Sequence, residues 1–241
     1  LAQSALSTLS DIPLQSASYA GSSFPSKILA EEGLTFDDLL LVPRMVDFRR
    51  QEADLSVRLH PRIHLRLPIL SSPMDTVTEA TMAFAMAEAG GLGVVHRNLS
   101  VSAQADCIRA VKAMSAKPDS TTDERGRPMV AAAVGAGADL QERIEALLAA
   151  ETDLLVVDSG HGHSHAIIEA VRLIRSIRPT QPIMAGNVAT EEGALALIAA
   201  GADMLRVGIG PGSICTTRIV TGVGIPQATA VLSCAKAALG M

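Results

Sequence analysis

Aromatic side chains are nearly absent from this chain: four Phe, one Tyr and no Trp in 241 residues. That removes the stacking surfaces on which single-stranded nucleic acid is usually held. The formal net charge of −5 removes the basic field that would draw it in. Cysteine is scarce as well. Cys107, Cys215 and Cys234 show neither C-x-x-C nor paired spacing, which argues against a disulfide framework and for a reducing, cytoplasmic setting. No apolar run approaches the roughly 18 residues that a membrane span needs. The first 26 residues are rich in Ser and Ala without a basic start and a clean apolar run, so no signal peptide is expected.

Alanine is abundant instead, at 38 residues, and 48% of the chain is hydrophobic against 19% charged. Such a chain can bury a sizeable core, and disorder over its whole length is excluded. The composition suits small-residue helices packed closely on an aliphatic partner. Residues 1–30 carry many Ser and no sustained periodicity, and are expected to form a poorly ordered N-terminal arm.

From Leu67 onward the pattern is regular. Short apolar runs, each expected to be a buried strand, occur at Pro68–Leu70, Leu92–Val95, Met129–Val134, Leu154–Val157, Pro182–Ala185 and Met204–Val207. Amphipathic or Ala-rich stretches follow them at Thr78–Ala89, Val101–Met114, Asp139–Ala149, His165–Ile177, Glu191–Ala200 and Gln227–Leu239. A strand alternating with a helix about every 25 residues predicts a parallel sheet with helical crossovers. Gly90 and Gly201 fall where helices should end, as C-terminal capping chemistry requires. Unbroken repetition favours an α/β fold of the (β/α)8 TIM-barrel type over a two-sided sheet, with six of the eight units in this sequence. The barrel domain is expected over residues 31–241. The polar segment Ser115–Arg127 between the second helix and third strand reads as a loop, and as a place where an insertion could sit.

In such a barrel the chemistry lies at the carboxyl ends of the strands. Ser71-Ser72-Pro73-Met74-Asp75 follows the first strand and suits either a ligand contact or a turn and helix cap. His96-Arg97-Asn98 follows the second, as an anion site or a solvated loop. Asp158 ends the fourth apolar run, where an unpaired carboxylate would be costly, so a partner in the protein or a ligand is expected. His161, His163 and His165 invite a zinc reading, but no second His or Cys cluster completes it. Asn187 follows the fifth strand, to bind a ligand or to cap.

The richest stretch is Gly208-Ile209-Gly210-Pro211-Gly212-Ser213-Ile214-Cys215-Thr216-Thr217-Arg218. Its glycines let backbone approach a ligand, with N–H groups for a phosphate or carbonyls for a cation. It is neither a P-loop nor a dinucleotide fingerprint. Cys107 and Cys234 fall inside expected helices and read as small hydrophobes. Cys215, beside hydroxyls and near Arg218, could expose a stabilised thiolate.

Leu34-Thr35-Phe36-Asp37-Asp38-Leu39-Leu40-Leu41-Val42-Pro43, Ser72-Pro73-Met74-Asp75-Thr76-Val77-Thr78-Glu79 and the segment from Gly208 to Gln227 resemble the IMP dehydrogenase / GMP reductase family. The likeness covers nearly all of the chain from about residue 31 on. The His-Gly-His of residues 161–163 looks more like bacterial IMP dehydrogenase. The resemblance implies that Cys215 attacks C2 of IMP, that hydride passes to NAD⁺, and that water hydrolyses a thioimidate to XMP, a step of guanine nucleotide biosynthesis. By position it places Thr217 close to the hydrolytic water. It implies substrate contacts for Ser72, Met74 and Ser213, with Ser213 on the phosphate. It implies NAD contacts for Asp158, Asn187, Arg206, Gly208, Ile209 and Gly210. The backbone carbonyls of Gly210, Gly212 and Cys215 match the ligands of K⁺. A homotetramer is implied too. GMP reductase, which runs related chemistry with NADPH, is the nearest alternative, although its stretch after Cys-Thr-Thr-Arg is usually more basic than Ile219-Val220. A catalytically incomplete nucleotide-binding fragment and a metal hydrolase are the others.

Two parts of the family's pattern are missing. Its paired CBS modules would interrupt residues 115–127. Its seventh and eighth strands, most of the phosphate site and a mobile flap would follow Met241. The sequence is therefore expected to be incomplete relative to an active protein.

Overall fold

The computed structural model describes residue 28 and residues 32–240. The expected N-terminal arm, Ile28 apart, lies outside the described residues. After two single-turn 3-10 helices at Phe36–Asp38 and Arg50–Glu52, β1 (Val57–His60) and β2 (Ile63–Leu65) pair as an antiparallel hairpin. The regular part then alternates α1 (Ala80–Glu88), β3 (Gly93–Val95), α2 (Val101–Lys112), β4 (Val130–Val134), α3 (Leu140–Ala149), β5 (Leu154–Asp158), α4 (His165–Ile177), β6 (Ile183–Val188), α5 (Glu191–Ala200) and β7 (Met204–Val207). A short α6 (Thr217–Thr221) and α7 (Gln227–Leu239) close the described chain.

The five strands β3 to β7 form one parallel sheet, each beside its neighbour in sequence. There is no reversal of strand order, so this is part of a (β/α) barrel, as the repetition predicts. The expected first strand, Pro68–Leu70, contributes only a single parallel bridge from Leu70 to Leu92. Pro68 has no N–H to give, and only the Ile69 carbonyl and Ser71 amide reach Leu92. The expected helices form within two residues of their read boundaries. Ser100 Oγ accepts from the Ala103 amide to start α2, Thr190 Oγ1 accepts from the Gly193 amide to start α5, and Gly201 ends α5 in the left-handed region.

Both faces of the sheet are buried, which is why its strands read as continuous apolar runs. Val130, Ala132, Val134, Leu155 and Val157 point outward, into a core shared with Ile108, Ile144, Val171, Ile174 and Leu197 of the helices. Ala131, Ala133, Leu154 and Val156 point inward and meet Ile63 and Leu65 of the hairpin, which plugs the interior. The alanines set the spacing of these layers. At Gly93 even an alanine is too large, because a Cβ there would lie 2.3 Å from Ala83 Cα in the backbone of α1. Gly93→Ala should lower stability by about 1–3 kcal/mol through overpacking. A denaturant midpoint equal to that of the parent chain would contradict this close helix–strand contact.

The opposite end of the barrel, away from the strand termini that carry chemistry, is pinned by charges. Lys112 Nζ, on the last turn of α2, lies 3.0 Å from Asp123 and 2.7 Å from Asp153. Arg127 joins Asp123 to Glu151. Segment 115–127 is thus a folded loop that Asp123 and Arg127 tie to Lys112 and to Glu151 in the turn before β5.

Candidate active site

The carboxyl ends of the strands form one rim. On the Leu70 side, Ser71 Oγ accepts from the Val94 amide and from Thr78 Oγ1, and the Ser72 carbonyl accepts from Thr78 Oγ1 and the Met74 amide. Turn chemistry and site-building coincide here. Ser72 and Arg206 line a cavity of about 270 Å³ at the mouth of the barrel. Met74 and Asp158 line a second, of about 380 Å³, with Asp75, Arg97 and Asn98. The two share Pro73.

Asp158 has the partner its position demands. Its carboxylate is ion-paired with Arg206 at the end of β7, and both side chains stay partly exposed at the rim. A carboxylate offers more acceptor positions than one guanidinium contact uses, so the pair can still receive a diol. Asn187 braces rather than projects: its Nδ2 donates to the Gly208 carbonyl at 2.8 Å, and its backbone exchanges bonds with Ser159 and Gly162. The Gly186–Asn187 peptide is cis.

Gly208 and Gly210 adopt φ of +125° and +73°, which side-chain-bearing residues rarely tolerate. Space is tight as well, so a side chain at either position would have to displace Gln227 or Arg218. A Cβ on Gly208 would lie 2.4 Å from Gln227 Oε1, and one on Gly210 would lie 2.7 Å from Arg218 Cγ. The loop is therefore clamped between two side chains. Gln227 Nε2 donates to the Val207 carbonyl, and Arg218 Nη2 donates to the Ile225 carbonyl. Ile209 turns its side chain into a small core with Ala189 and Ala230, so only its backbone is offered to a ligand. Pro211, Gly212, Ser213 and Ile214 are exposed.

Cys215 is partly exposed at the end of this loop, with its amide donating to the Gly212 carbonyl at 3.0 Å. Its Sγ lies 3.3 Å from Thr217 Oγ1. Hydrogen bonds from the Thr217 hydroxyl and amide, with a smaller contribution from the Arg218 charge, hold the thiol below its ordinary value of 9.0. The other cysteines go the opposite way: burial raises Cys107, and burial pushes Cys234 up to about 11. Thr217→Val should move the pH midpoint of Cys215 alkylation upward, followed by mass spectrometry of its peptide. An unchanged midpoint would remove Thr217 from any role in activating the thiol.

The carbonyls of Gly210 and Cys215 accept no hydrogen bond among the described residues, and that of Gly212 accepts one. Oxygens left without donors in a glycine-built loop fit a monovalent cation. Cys215, Thr217 and Ser213 line neither of the two cavities. The structure thus brings Ser72, Met74, Asp158 and Arg206 to one mouth, seats Asn187, Gly208 and Ile209 beneath the loop, and leaves the thiol on the loop's exposed arm.

Two readings that residue type left open are narrowed. Within His96-Arg97-Asn98, Arg97 and Asn98 are exposed as a solvated loop would be, whereas the His96 side chain is turned inward. It is buried, its Nδ1 accepts from the Asn98 amide, and its Nε2 faces Glu79 at 3.3 Å. The alternating histidines do not converge. The His161 and His163 rings are 6.4 Å apart, and no group of three or more metal-ligating side chains occurs among the described residues. Sequence reasoning missed the clamping role of Gln227, whose signal was a polar residue at the first turn of an otherwise Ala-rich helix.

A partial (β/α) barrel with a glycine-built thiol loop at the carboxyl end of its last described strand defines a class of barrel enzyme site. Comparison with known proteins names the class. Residues 33–241 match the IMP dehydrogenase / GMP reductase domain. The chain is 42% identical over 245 residues to inosine-5'-monophosphate dehydrogenase of Borreliella burgdorferi, covering 86% of this chain and 60% of that protein. It is 34% identical to the Haemophilus influenzae enzyme of the same name, covering 87% and 66%, and 34% identical to that of Escherichia coli K12, covering 88% and 67%. The chain belongs to the IMP dehydrogenase / GMP reductase family. It spans about three-fifths to two-thirds of the length of these relatives. The alignments to the last two run over 324 and 327 residues, more than the 241 of this chain. Those relatives therefore carry residues inside the aligned span that this chain lacks.

Proposed function

We propose that the protein to which this chain contributes oxidises IMP to XMP with NAD⁺, using Cys215 as nucleophile. The observation that carries the reading is the Cys215 loop: a thiol lowered in pKa, on a backbone that only glycines allow, in a chain whose relatives named above are IMP dehydrogenases. The thiolate gives its electron pair to C2 of the purine, and the C2 hydrogen leaves as hydride. NAD⁺, when bound, supplies the acceptor for that hydride. Water then adds to C2 of the resulting thioimidate, the C–S bond breaks, and the thiol regains its proton. Thr217, in contact with Sγ, is placed to attend both steps.

Ser72 and Met74 are assigned to IMP, with Ser213 to its phosphate. Asp158, Arg206 and the backbone of 208–210 are assigned to NAD, with Asn187 bracing that backbone through its bond to the Gly208 carbonyl. The free carbonyls of Gly210 and Cys215, with that of Gly212, would hold K⁺ and so fix the loop that carries the nucleophile. A cytoplasmic homotetramer is the assembly this reading favours. Leu40, Leu41 and Met45, exposed by 96%, 97% and 97%, give subunit contact an apolar surface. Segment 115–127, held against Lys112 and Glu151 through Asp123 and Arg127, is where CBS modules would be inserted.

The discriminating assay uses the full-length protein. NAD-dependent absorbance change with IMP is expected, and NADPH consumption with GMP is not. The reverse pattern would make the protein a GMP reductase. Neither activity would leave a nucleotide-binding relative.

A further inference from the structure

The loop of residues 96–99 follows β3 and lines the cavity that holds Asp158. The main chain holds it at one point, where the His96 amide donates to the Thr78 carbonyl at 3.2 Å, and Asn98 Nδ2 donates to Asp75 at 3.1 Å. The β3–β4 ladder ends at Val95 opposite Ala132, while β4 runs on to Val134. Beyond that point the carbonyls of His96 and Ala133 have left the ladder between the two strands. A buried side chain takes its place. Gln104 is fully buried on the inner stripe of α2. Its Nε2 donates to the Ala133 carbonyl at 2.8 Å and the His96 carbonyl at 3.0 Å, with the Val95 carbonyl at 3.3 Å. Its Oε1 accepts from Arg143 Nη1 at 2.7 Å.

Arg143, itself buried, carries the connection onward. Its Nη2 donates to the Leu99 carbonyl at 3.0 Å and to Asp139 at 2.7 Å, and its Nε also reaches Asp139. One amide and one guanidinium thus hold both ends of the loop, through His96 and Leu99, and tie them to β4 and the start of α3. Every polar atom of Gln104 is used, and none of these contacts is needed to close a helix.

We propose that Gln104 and Arg143 are positioning residues for the dinucleotide side of the site: they hold the 96–99 loop against the mouth beside Asp158 without touching either substrate. This rests on the assignment of Asp158 to NAD made above. The loop shares its cavity with Asp158 and with Met74 but not with Cys215, so loosening it acts chiefly on NAD, reaches IMP only through Met74, and leaves the attacking thiol in place. A purely structural role would lower the folded fraction, and with it kcat, while moving neither KM.

The test compares parent, Gln104→Met, Gln104→Glu and Arg143→Lys in the full-length protein. Gln104→Met keeps length and volume and removes every bond. It should raise the KM for NAD about tenfold, with the KM for IMP and kcat at saturating NAD changed by about twofold at most. Hydrogen exchange at the amides of residues 97–99 should quicken with it. Gln104→Glu keeps the Arg143 contact but sets a carboxylate against three carbonyls, and should show the same split. Arg143→Lys frees only the Leu99 end and should show it more weakly, and it serves should the Gln104 variants fail to fold. Folded variants with parental KM for NAD and parental exchange at 97–99 would overturn the proposal. A parent protein inactive with IMP and NAD⁺ would instead overturn the functional reading, and the exchange measurement would still decide whether the tether exists.

Discussion

Replacing Cys215 with Ala in the full-length protein should cut NADH production from IMP by about three orders of magnitude or more, since removing a covalent nucleophile removes the step that expels hydride. Cys215→Ser should do little better, because a serine hydroxyl in the same place stays protonated at neutral pH. Binding should survive. The cavities at the mouth are lined by Ser72, Met74, Asp158 and Arg206, and none of these contacts Cys215. Isothermal titration with IMP should therefore give an affinity near that of the parent, while the turnover assay reads background. Substantial NADH formation by the alanine variant would place the chemistry elsewhere on the rim. The thiol is the better choice on physical grounds too, for it alone of the three cysteines is stabilised as thiolate.

The second large effect belongs to stability. Lys112 is 5% exposed and faces Asp123 and Asp153, exposed by 12% and 11%. Lys112→Met leaves two carboxylates without their shared cation in a largely buried site, and should cost about 3–5 kcal/mol. Asp153 suffers more. Burial already raises its carboxyl, with Lys112 opposing, and Asp153 accepts one backbone amide, from Val130, where Asp123 accepts two, from Arg125 and Arg127. Adding Asp153→Asn to Lys112→Met should recover much of the loss, and chemical denaturation of the two variants checks it. Equal midpoints for Lys112→Met and the parent would show that the ammonium is dispensable.

Acid makes the same site visible in the parent. Burial pushes Asp123 up, but the Arg127 amide, Lys112 and the Arg125 amide outweigh it and hold the carboxyl at about 2, against an ordinary 3.8. A depressed carboxylate stabilises the fold above its unfolded value, and that contribution drains away as pH falls from about 4 through 2. In Lys112→Met the dependence should invert near neutrality, because an unpaired buried Asp153 prefers its proton, and the variant should gain stability on mild acidification.

The barrel was legible in the sequence because its strands are buried on both faces. Leu154-Leu155-Val156-Val157 reads as one apolar run only because alternate side chains enter two different cores. The hairpin at Val57–Leu65 escapes a search for such runs. Val57-Arg58-Leu59-His60 and Ile63-His64-Leu65 instead alternate with period two, over spans too short to stand out. Pro68–Leu70 is apolar enough for a strand, yet its proline and two main-chain bonds leave a single bridge.

At the site, residue type pointed to the rim where these side chains gather and said little about what each of them contacts. Asp158 was expected to have a partner, but nothing in the sequence pairs it with Arg206, 48 positions away. His96-Arg97-Asn98 could be read as an anion site or a solvated loop, and the sequence did not say that the His96 ring turns inward to face Glu79. Gln104 and Lys112 share the inner stripe of α2 with Ala105, Ile108 and Val111. Polar residues on an apolar stripe were the available signal, but their partners lie on other elements and only the fold reveals them.

The most direct measurement is the mass of the Cys215 peptide after the full-length protein is mixed with IMP and NAD⁺ and quenched in acid during turnover. The account predicts an added nucleotide mass on that peptide alone, dependent on both ligands and absent in Cys215→Ala. NADH formation with no such mass on Cys215 would contradict it.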